Sequence, residues 1–239
     1  MKALVLAAGR STRISGIADG LPKPLLEIGG APVIVHQLRL LARHGVREAW
    51  VNLHYRPDFI QNALGDGSKW GLRLRYSREL ELLGTAGAAK NLIGEFYGES
   101  FFVLYGDNYT DCDLTGLLRR HRDSGAVGTI AVFDQRKNPN SGIAGGKVAL
   151  DGDGNALGFV EGSARTVADG TLVNAGVYIL EPAVLDAIGD PPSDFGRDVF
   201  PKLLREGKRL AAYPLTGFCF GIDTPEAYER AREFAEEMK

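Results

Sequence analysis

The chain has 239 residues, of which 44% are hydrophobic and 24% charged, and a formal net charge of -2. That length suits one domain with a real core, and the balanced charge gives no basic footprint for nucleic acid. The only cysteines, Cys112 and Cys219, are far apart and suggest neither a disulfide framework nor a zinc site, which points to a reducing cytoplasm. The apolar amino terminus is broken by Gly9 and Arg10 too early for a signal core, and nothing later could span a membrane.

Short apolar runs alternate with segments of helical period, the pattern of an α/β domain around a mainly parallel sheet. The first strand is Lys2 to Ala7. After a Gly- and Pro-containing loop, Pro32 to His44 carries an apolar stripe (Val33, Ile34, Leu38, Leu41) and stops at Gly45, a residue suited to a left-handed helix end. A strand at Val46 to Leu53, a helix at Asp58 to Leu64, a strand at Leu72 to Tyr76, a helix at Thr85 to Leu92 and a strand at Ser100 to Tyr105 complete a repeating first half. Asp113 reads as the N-cap of a helix ending near Ser124. The second half is less regular. Val127 to Phe133 and Lys147 to Leu150 read as strands, Asp151-Gly152-Asp153-Gly154 as a hairpin turn before Ala156 to Val160, and Val173 to Leu180 as a further strand. Asp198 to Arg205 reads as a short helix and Arg209 to Pro214 as a late strand. Thr224-Pro225-Glu226 then opens a last helix whose Tyr228, Ala231 and Phe234 face the domain. No internal repeat or hexapeptide array is present, so no second acyltransferase activity is expected.

Leu6-Ala7-Ala8-Gly9-Arg10-Ser11-Thr12-Arg13 begins where the first strand ends, and Leu21-Pro22-Lys23-Pro24-Leu25 follows. In an open α/β sheet ligands sit beyond the carboxyl ends of the strands, where a loop of small residues offers backbone N–H groups to phosphate oxygens; Arg13 and Lys23 add charge to such a cradle. The segment is neither a Walker A loop nor a dinucleotide fingerprint. On its own it reads equally well as a plain strand-to-helix turn with two solvated cations. His36, His44, His54 and His121 show no metal-ligand spacing, and Trp50 and Trp70 read as core or rim.

With Pro22-Lys23-Pro24-Leu25, the first loop resembles the amino-terminal signature of the sugar-1-phosphate nucleotidyltransferases, the nucleotide-sugar pyrophosphorylases. Leu83-Gly84-Thr85-Ala86-Gly87, Tyr105-Gly106-Asp107-Asn108, Phe159-Val160-Glu161 and Val173-Asn174-Ala175-Gly176-Val177-Tyr178 follow in the family's order. The resemblance implies a Rossmann-like three-layer α/β domain over residues 1–239, with a nucleotide-binding half near 1–125 and a sugar-binding half near 126–239. It implies Mg²⁺-dependent attack of a sugar 1-phosphate on the α-phosphorus of a nucleoside triphosphate, with pyrophosphate leaving. Arg13, Lys23 and Asp107 would be catalytic, with Lys23 at the two reacting phosphates, Arg13 at the triphosphate tail and Asp107 on the metal. No general base is needed, since a phosphate dianion is already a nucleophile. Leu6, Ala7, Ala8, Gly9, Arg10, Ser11, Thr12, Glu79, Glu81, Gly84, Thr85, Gly87 and Gly106 would bind nucleotide, and Asn108, Gly146, Glu161 and Asn174 the sugar.

A carboxylate at Glu79 or Glu81 suits guanine, whose adjacent N1–H and N2–H donors match two carboxylate oxygens. The Leu-Gly-Thr-Ala-Gly wording is also similar to the mannose- and heptose-1-phosphate guanylyltransferases. GTP is therefore the favoured donor, with UTP, dTTP or CTP as alternatives. A nucleoside triphosphate and a sugar 1-phosphate are the expected partners, with a homo-oligomer open and neither nucleic acid nor membrane expected.

Two departures stand out. Gly162-Ser163-Ala164-Arg165 follows Glu161 where the family places a lysine that binds the sugar phosphate, leaving Arg165 or another nearby cation to replace it. Near the carboxyl end, Gly221-Ile222-Asp223-Thr224-Pro225 exchanges the usual aspartate and glycine of Asp-x-Gly-Thr-Pro. In an extended segment positions two apart share a side, roughly 6 to 7 Å from each other, so Asp223 is expected either to replace the second metal ligand or only to help cap the last helix. These gaps also leave open a catalytically weak homologue that binds a nucleotide sugar and regulates a partner enzyme.

Overall fold

A computed structural model of the chain describes residues 1–18, 20–140, 146–160 and 172–238. Its main sheet has nine strands: β1 (Lys2–Leu6), β2 (Glu48–Leu53), β3 (Arg73–Arg78), β4 (Phe101–Tyr105), β5 (Gly128–Phe133), β6 (Lys147–Leu150), β7 (Ala156–Val160), β8 (Leu172–Leu180) and β9 (Leu210–Pro214). The main path runs β7-β6-β8-β4-β1-β2-β3, and β5 joins β8 to β9. Strands β4, β1, β2 and β3 are parallel, whereas β8 lies antiparallel to β4, β5 and β6. The sheet as a whole is mixed, and its parallel first half follows from helical crossovers between the strands, since parallel neighbours cannot be joined by a hairpin.

Side-chain alternation along the central strands creates three layers. In β1, Ala3 and Val5 enter one core cluster and Leu4 and Leu6 the other; in β4, Phe102 and Leu104 oppose Phe101 and Val103 in the same way. A strand covered on both faces is apolar throughout, which is why β1 and β4 read as continuous hydrophobic runs. The first face is covered by helices Val33–Arg43, Pro57–Leu64 and Leu114–Ser124, through Ile34, Leu38, Ile60, Leu64 and Leu117. The second is covered by Gly84–Asn91 and Phe200–Arg205, through Ala86, Ala89, Phe200 and Leu203.

A third cluster sits under the final helix, Pro225–Glu237, where Tyr228, Ala231 and Ala235 pack on Ile14, Leu26, Phe218, Phe220 and Ile222. It fastens the loop after β1 to the short strand Cys219–Gly221, which pairs with Asn108–Thr110 directly after β4. Neither of these short strands is apparent in the sequence, because three residues carry no period. The segment read as a helix from Asp198 instead begins with a wider turn at Phe195–Val199 that continues into Phe200–Arg205. There the Asp194 N–H is held by the Asp198 carboxylate at 2.8 Å. The predicted caps are present: Asp113 accepts from Thr115 N, and Thr224 Oγ1 accepts from Ala227 N at 3.2 Å. His121 is buried between Thr129 and Glu181, Trp50 and Trp70 are half-buried, and no described helix is long and apolar enough to cross a membrane.

Candidate active site

Register in the parallel half decides what meets at the carboxyl edge. Leu6 pairs with Asn52 and with Tyr105, and Leu53 pairs with Arg78, so the segments beginning at Ala7, His54, Glu79 and Gly106 leave the sheet side by side. They open onto a cleft of about 540 Å³. Leu6, Ala8, Gly9, Arg13, Lys23, Glu79, Gly84, Thr85, Asp107, Asn108, Gly146, Asn174 and Asp223 all line it. An adjoining pocket of about 150 Å³ adds Arg10, Ser11 and Thr12 and shares Gly9, Arg13, Lys23 and Asp223.

At the junction of the two, the Lys23 ammonium bridges two carboxylates: it contacts Asp107 Oδ2 and reaches Asp223 Oδ1 at 2.6 Å. Arg13 joins Asp223 Oδ1 at 3.1 Å. Burial pulls the Lys23 ammonium down, but Asp107 and Asp223 together outweigh it and hold it above the ordinary lysine value. Burial pushes the Asp223 carboxyl up, and Lys23 and Arg13 reverse this, leaving it below the usual aspartate range. Backbone geometry supports the arrangement. Ser11 adopts a left-handed φ of 58°, unusual for a residue with a side chain, while its Oγ accepts from Lys23 N at 2.9 Å.

A second network clamps the walls of the cleft. Ala7 N donates to Asn52 Oδ1 and Asn52 Nδ2 donates to Glu79 Oε1, both at 2.8 Å; Glu79 Oε2 accepts from Leu83 N at 3.1 Å. Glu79 is thus buried with both oxygens oriented, whereas Glu81 is exposed and does not line the cleft. Gly84 and Gly87 serve close packing. Gly84 has a φ of 78° and lies against the Ser193 backbone, and Gly87 N donates to Ser193 O at 3.0 Å. Thr85 is tied to Asp194 through N and Oγ1, and Gly106 N donates to Leu6 O at 2.8 Å.

On the other wall, Asn174 donates to Tyr178 Oη at 2.7 Å and accepts from Gly176 N at 2.9 Å, while its own N–H donates to Gly146 O at 2.8 Å. Asn108 donates to Ala175 O at 2.8 Å. Glu161 and Arg165 lie outside the described residues. Tyr105 and Gly176, which belong to the motifs but carry no expected role, also line the cleft, as do Asn52, Leu82, Pro192, Asp194 and Arg197, which no motif includes. Asn52 carried a signal, a polar residue inside an apolar parallel strand; Asp194 and Arg197 carried none, because they arrive from a segment that shares no strand edge with the site.

The chemistry of the donor set suits a hard divalent cation held between protein and phosphate, since one or two carboxylates with substrate oxygens and water make up a usual Mg²⁺ site. Asp107 and Asp223 already converge on one cation, the Lys23 ammonium. Among the described residues no group of three or more His, Cys, Asp or Glu side chains gathers to hold a metal, here or elsewhere, so the protein offers two carboxylates and the remaining ligands would come from phosphate and water.

The sequence matches the nucleotidyl transferase family over residues 2–237. It is 36% identical over 219 residues to a UTP–glucose-1-phosphate uridylyltransferase of Synechocystis sp., covering 87% of this chain and 56% of that protein. It is 34% identical over 232 residues to probable mannose-1-phosphate guanylyltransferase 1 of Oryza sativa subsp. japonica, covering 95% and 63%. The chain therefore spans less than two thirds of the length of these curated relatives. The fold superimposes on the crystal structure of HddC from Yersinia pseudotuberculosis with a TM-score of 0.81 at 25% identity, covering 100% of this chain and 99% of that one.

Proposed function

This chain belongs to the nucleotidyl transferase family, and on that premise we propose that it transfers a nucleotidyl group from a nucleoside triphosphate to a sugar 1-phosphate, releasing pyrophosphate. The observation that carries the reading is the meeting of Lys23, Arg13, Asp107 and Asp223 at the base of the cleft. Joining two phosphate esters requires that two anions approach and that charge on the transferring phosphoryl group be neutralised. Backbone and side chains of the loop from Gly9 to Arg13 are placed for the triphosphate, and Lys23 for the reacting phosphates. Asp107 and Asp223 would hold Mg²⁺. When bound, the metal would neutralise phosphate oxygens and orient them for in-line displacement. An oxygen of the sugar phosphate forms the new bond to the α-phosphorus as the bond to pyrophosphate breaks, so no side chain has to remove a proton.

The two walls divide the remaining work. Glu79 is our candidate for reading the base, because it lines the cleft and Asn52 and Leu83 orient its carboxylate; a carboxylate there favours GTP, in keeping with the guanylyltransferase name of the rice relative, while the Synechocystis relative is named for UTP. Asn108, Gly146 and Asn174 are our candidates for the sugar. Arg197 is our candidate for its phosphate, since it is a further cation that lines the cleft, where Asp194 and Asp198 pair with it. The convergence of Arg13, Lys23, Asp107 and Asp223 supports catalysis over nucleotide-sugar binding alone. The test is pyrophosphate release with GTP, UTP, dTTP, CTP and ATP across a panel of sugar 1-phosphates. Turnover is expected with GTP; turnover only with a pyrimidine triphosphate reassigns the base, and no turnover with any pair defeats the proposal.

A further inference from the structure

Helix Val33–Arg43 has a second functional-looking face, away from the cleft. His36, Arg39 and Arg43 recur at helical spacing and, with Ala42 and Trp70, line a groove of about 440 Å³ that shares no lining residue with the active-site cleft. Arg39 and Arg43 are both exposed, and neither pairs with a carboxylate among the described residues. Like charges four apart on a helix repel each other, and nothing on this face offsets them. Arg43 is suited to the helix carboxyl end, but Arg39 lies a turn earlier and is held in place differently, with its guanidinium 5.4 Å from the centroid of the Trp70 ring. The imidazole of His36 is fixed by Ile28 O at 2.8 Å and packs edge-on to Tyr109 at 4.8 Å. Among the described residues the groove therefore presents two guanidinium forks, one of them held over Trp70, with no carboxylate paired to either.

We propose that this groove is a second anion site, which takes the phosphate group of a small molecule between Arg39 and Arg43. Guanidinium forks match phosphate oxygens in pairs, and one bound phosphate would relieve the repulsion between them. The volume falls in the range of small-molecule pockets and exceeds what inorganic phosphate alone fills, so a phosphorylated metabolite is the occupant that fits best. The groove also lies on the back of the helix that supports the metal-side loop, since Gln37 Nε2 donates to Asn108 O beside Asp107.

Trp70 provides a local reporter. The protein has two tryptophans, so Trp50→Phe leaves Trp70 alone. Its fluorescence is followed while inorganic phosphate, pyrophosphate or glucose 6-phosphate is added at constant ionic strength against potassium chloride. A saturable change is expected. Arg39→Gln/Arg43→Gln in the same background should raise the apparent Kd about tenfold or more, the loss expected when a charge-assisted hydrogen bond is removed. Both arginines are exposed, so the double variant should melt like its parent. Saturation by glucose 6-phosphate but not inorganic phosphate assigns the site to a phosphorylated metabolite, and saturation by either assigns it to the phosphate group itself. A change reproduced by potassium chloride, a response retained in the double variant, or no saturation with any probe overturns the proposal.

Discussion

Replacing Lys23 with methionine keeps the bulk of the side chain and removes the charge that lies between Asp107 and Asp223. The Lys23 side chain is 11% exposed, and the two carboxylates 22% and 34%. Without the ammonium they face each other across a partly wet gap. Two unit charges about 5 Å apart at an effective dielectric near 20 repel by about 3 kcal/mol, and exposure of Asp223 screens this toward about 2 kcal/mol. For a chain of this length, that corresponds to a fall in Tm of roughly 4 to 8 °C. The pH dependence distinguishes repulsion from simple loss of packing. In the native protein Lys23 is raised, so its contribution is complete below the ordinary lysine value and fades only as pH rises through its folded value; Asp223 is lowered, so its contribution is complete above the ordinary aspartate value and fades as pH falls through its folded value. Native stability from this cluster is thus level across neutral pH. In the variant, protonating Asp223 relieves the repulsion, so the deficit should shrink as pH falls from neutral toward the ordinary aspartate value. Added Mg²⁺ should shrink it at pH 7.5. Differential scanning calorimetry over that interval, with and without Mg²⁺, measures both effects. A deficit constant with pH and indifferent to Mg²⁺ would refute the reasoning.

Asp223→Asn should cut turnover by about two orders of magnitude or more, as expected for loss of a charge acting directly on phosphoryl transfer, and should raise the Mg²⁺ concentration for half-maximal rate; pyrophosphate release titrated with Mg²⁺ checks this. Arg197→Gln should raise the KM for the sugar 1-phosphate about tenfold, the equivalent of one charge-assisted hydrogen bond, while leaving the KM for the triphosphate within a factor of two or so. Equal rises in both constants would remove Arg197 from the acceptor side. Gly176→Ala should destabilise the fold by about 2 to 4 kcal/mol in urea denaturation, because Gly176 has a φ of 66° and an added Cβ would lie 2.6 Å from Asn108 Nδ2 and 2.9 Å from Tyr105 Cγ.

Most strands and helices were legible because burial dictates their period. The apolar runs at Lys2–Leu6 and Phe101–Tyr105 are buried on both faces, and the stripe Ile34, Leu38, Leu41 covers one of them. Strand ends then located Gly9 and Asp107, since parallel strands deliver their following loops to one edge. What could not be read depends on contacts with no local pattern. Glu79 and Glu81 are indistinguishable in sequence, yet Asn52 and Leu83 turn the first into the cleft and nothing printed in the chain marks the second as exposed. Gly84 and Gly87 looked like ligand contacts because small residues permit close approach. Gly84 does line the cleft, and what also approaches both is the Ser193 segment, more than a hundred residues away in the chain.

The exchange at Gly221 and Asp223 shows how a displaced residue can still reach a site. Gly221 pairs with Asn108, the neighbour of Asp107, so the strand from Cys219 runs against the loop that carries Asp107 rather than past it. Ile222 N then donates to Asp107 O at 3.2 Å, holding the two carboxylate-bearing segments together through their backbones. Two residues beyond Gly221, Asp223 leaves the strand on the side of Lys23 and Arg13. Capping the last helix does not require it, because Thr224 Oγ1 accepts from Ala227 N. A carboxylate at 223 is therefore free of the helix and bound to the cations of the cleft. The third hydrophobic cluster, in which Phe218, Phe220 and Ile222 pack beneath Tyr228 and Ala231, fixes the strand that carries it. Strand pairing thus delivers Asp223 to the cation that Asp107 also contacts, and the position of an aspartate within a short motif matters less than the pairing that carries it there.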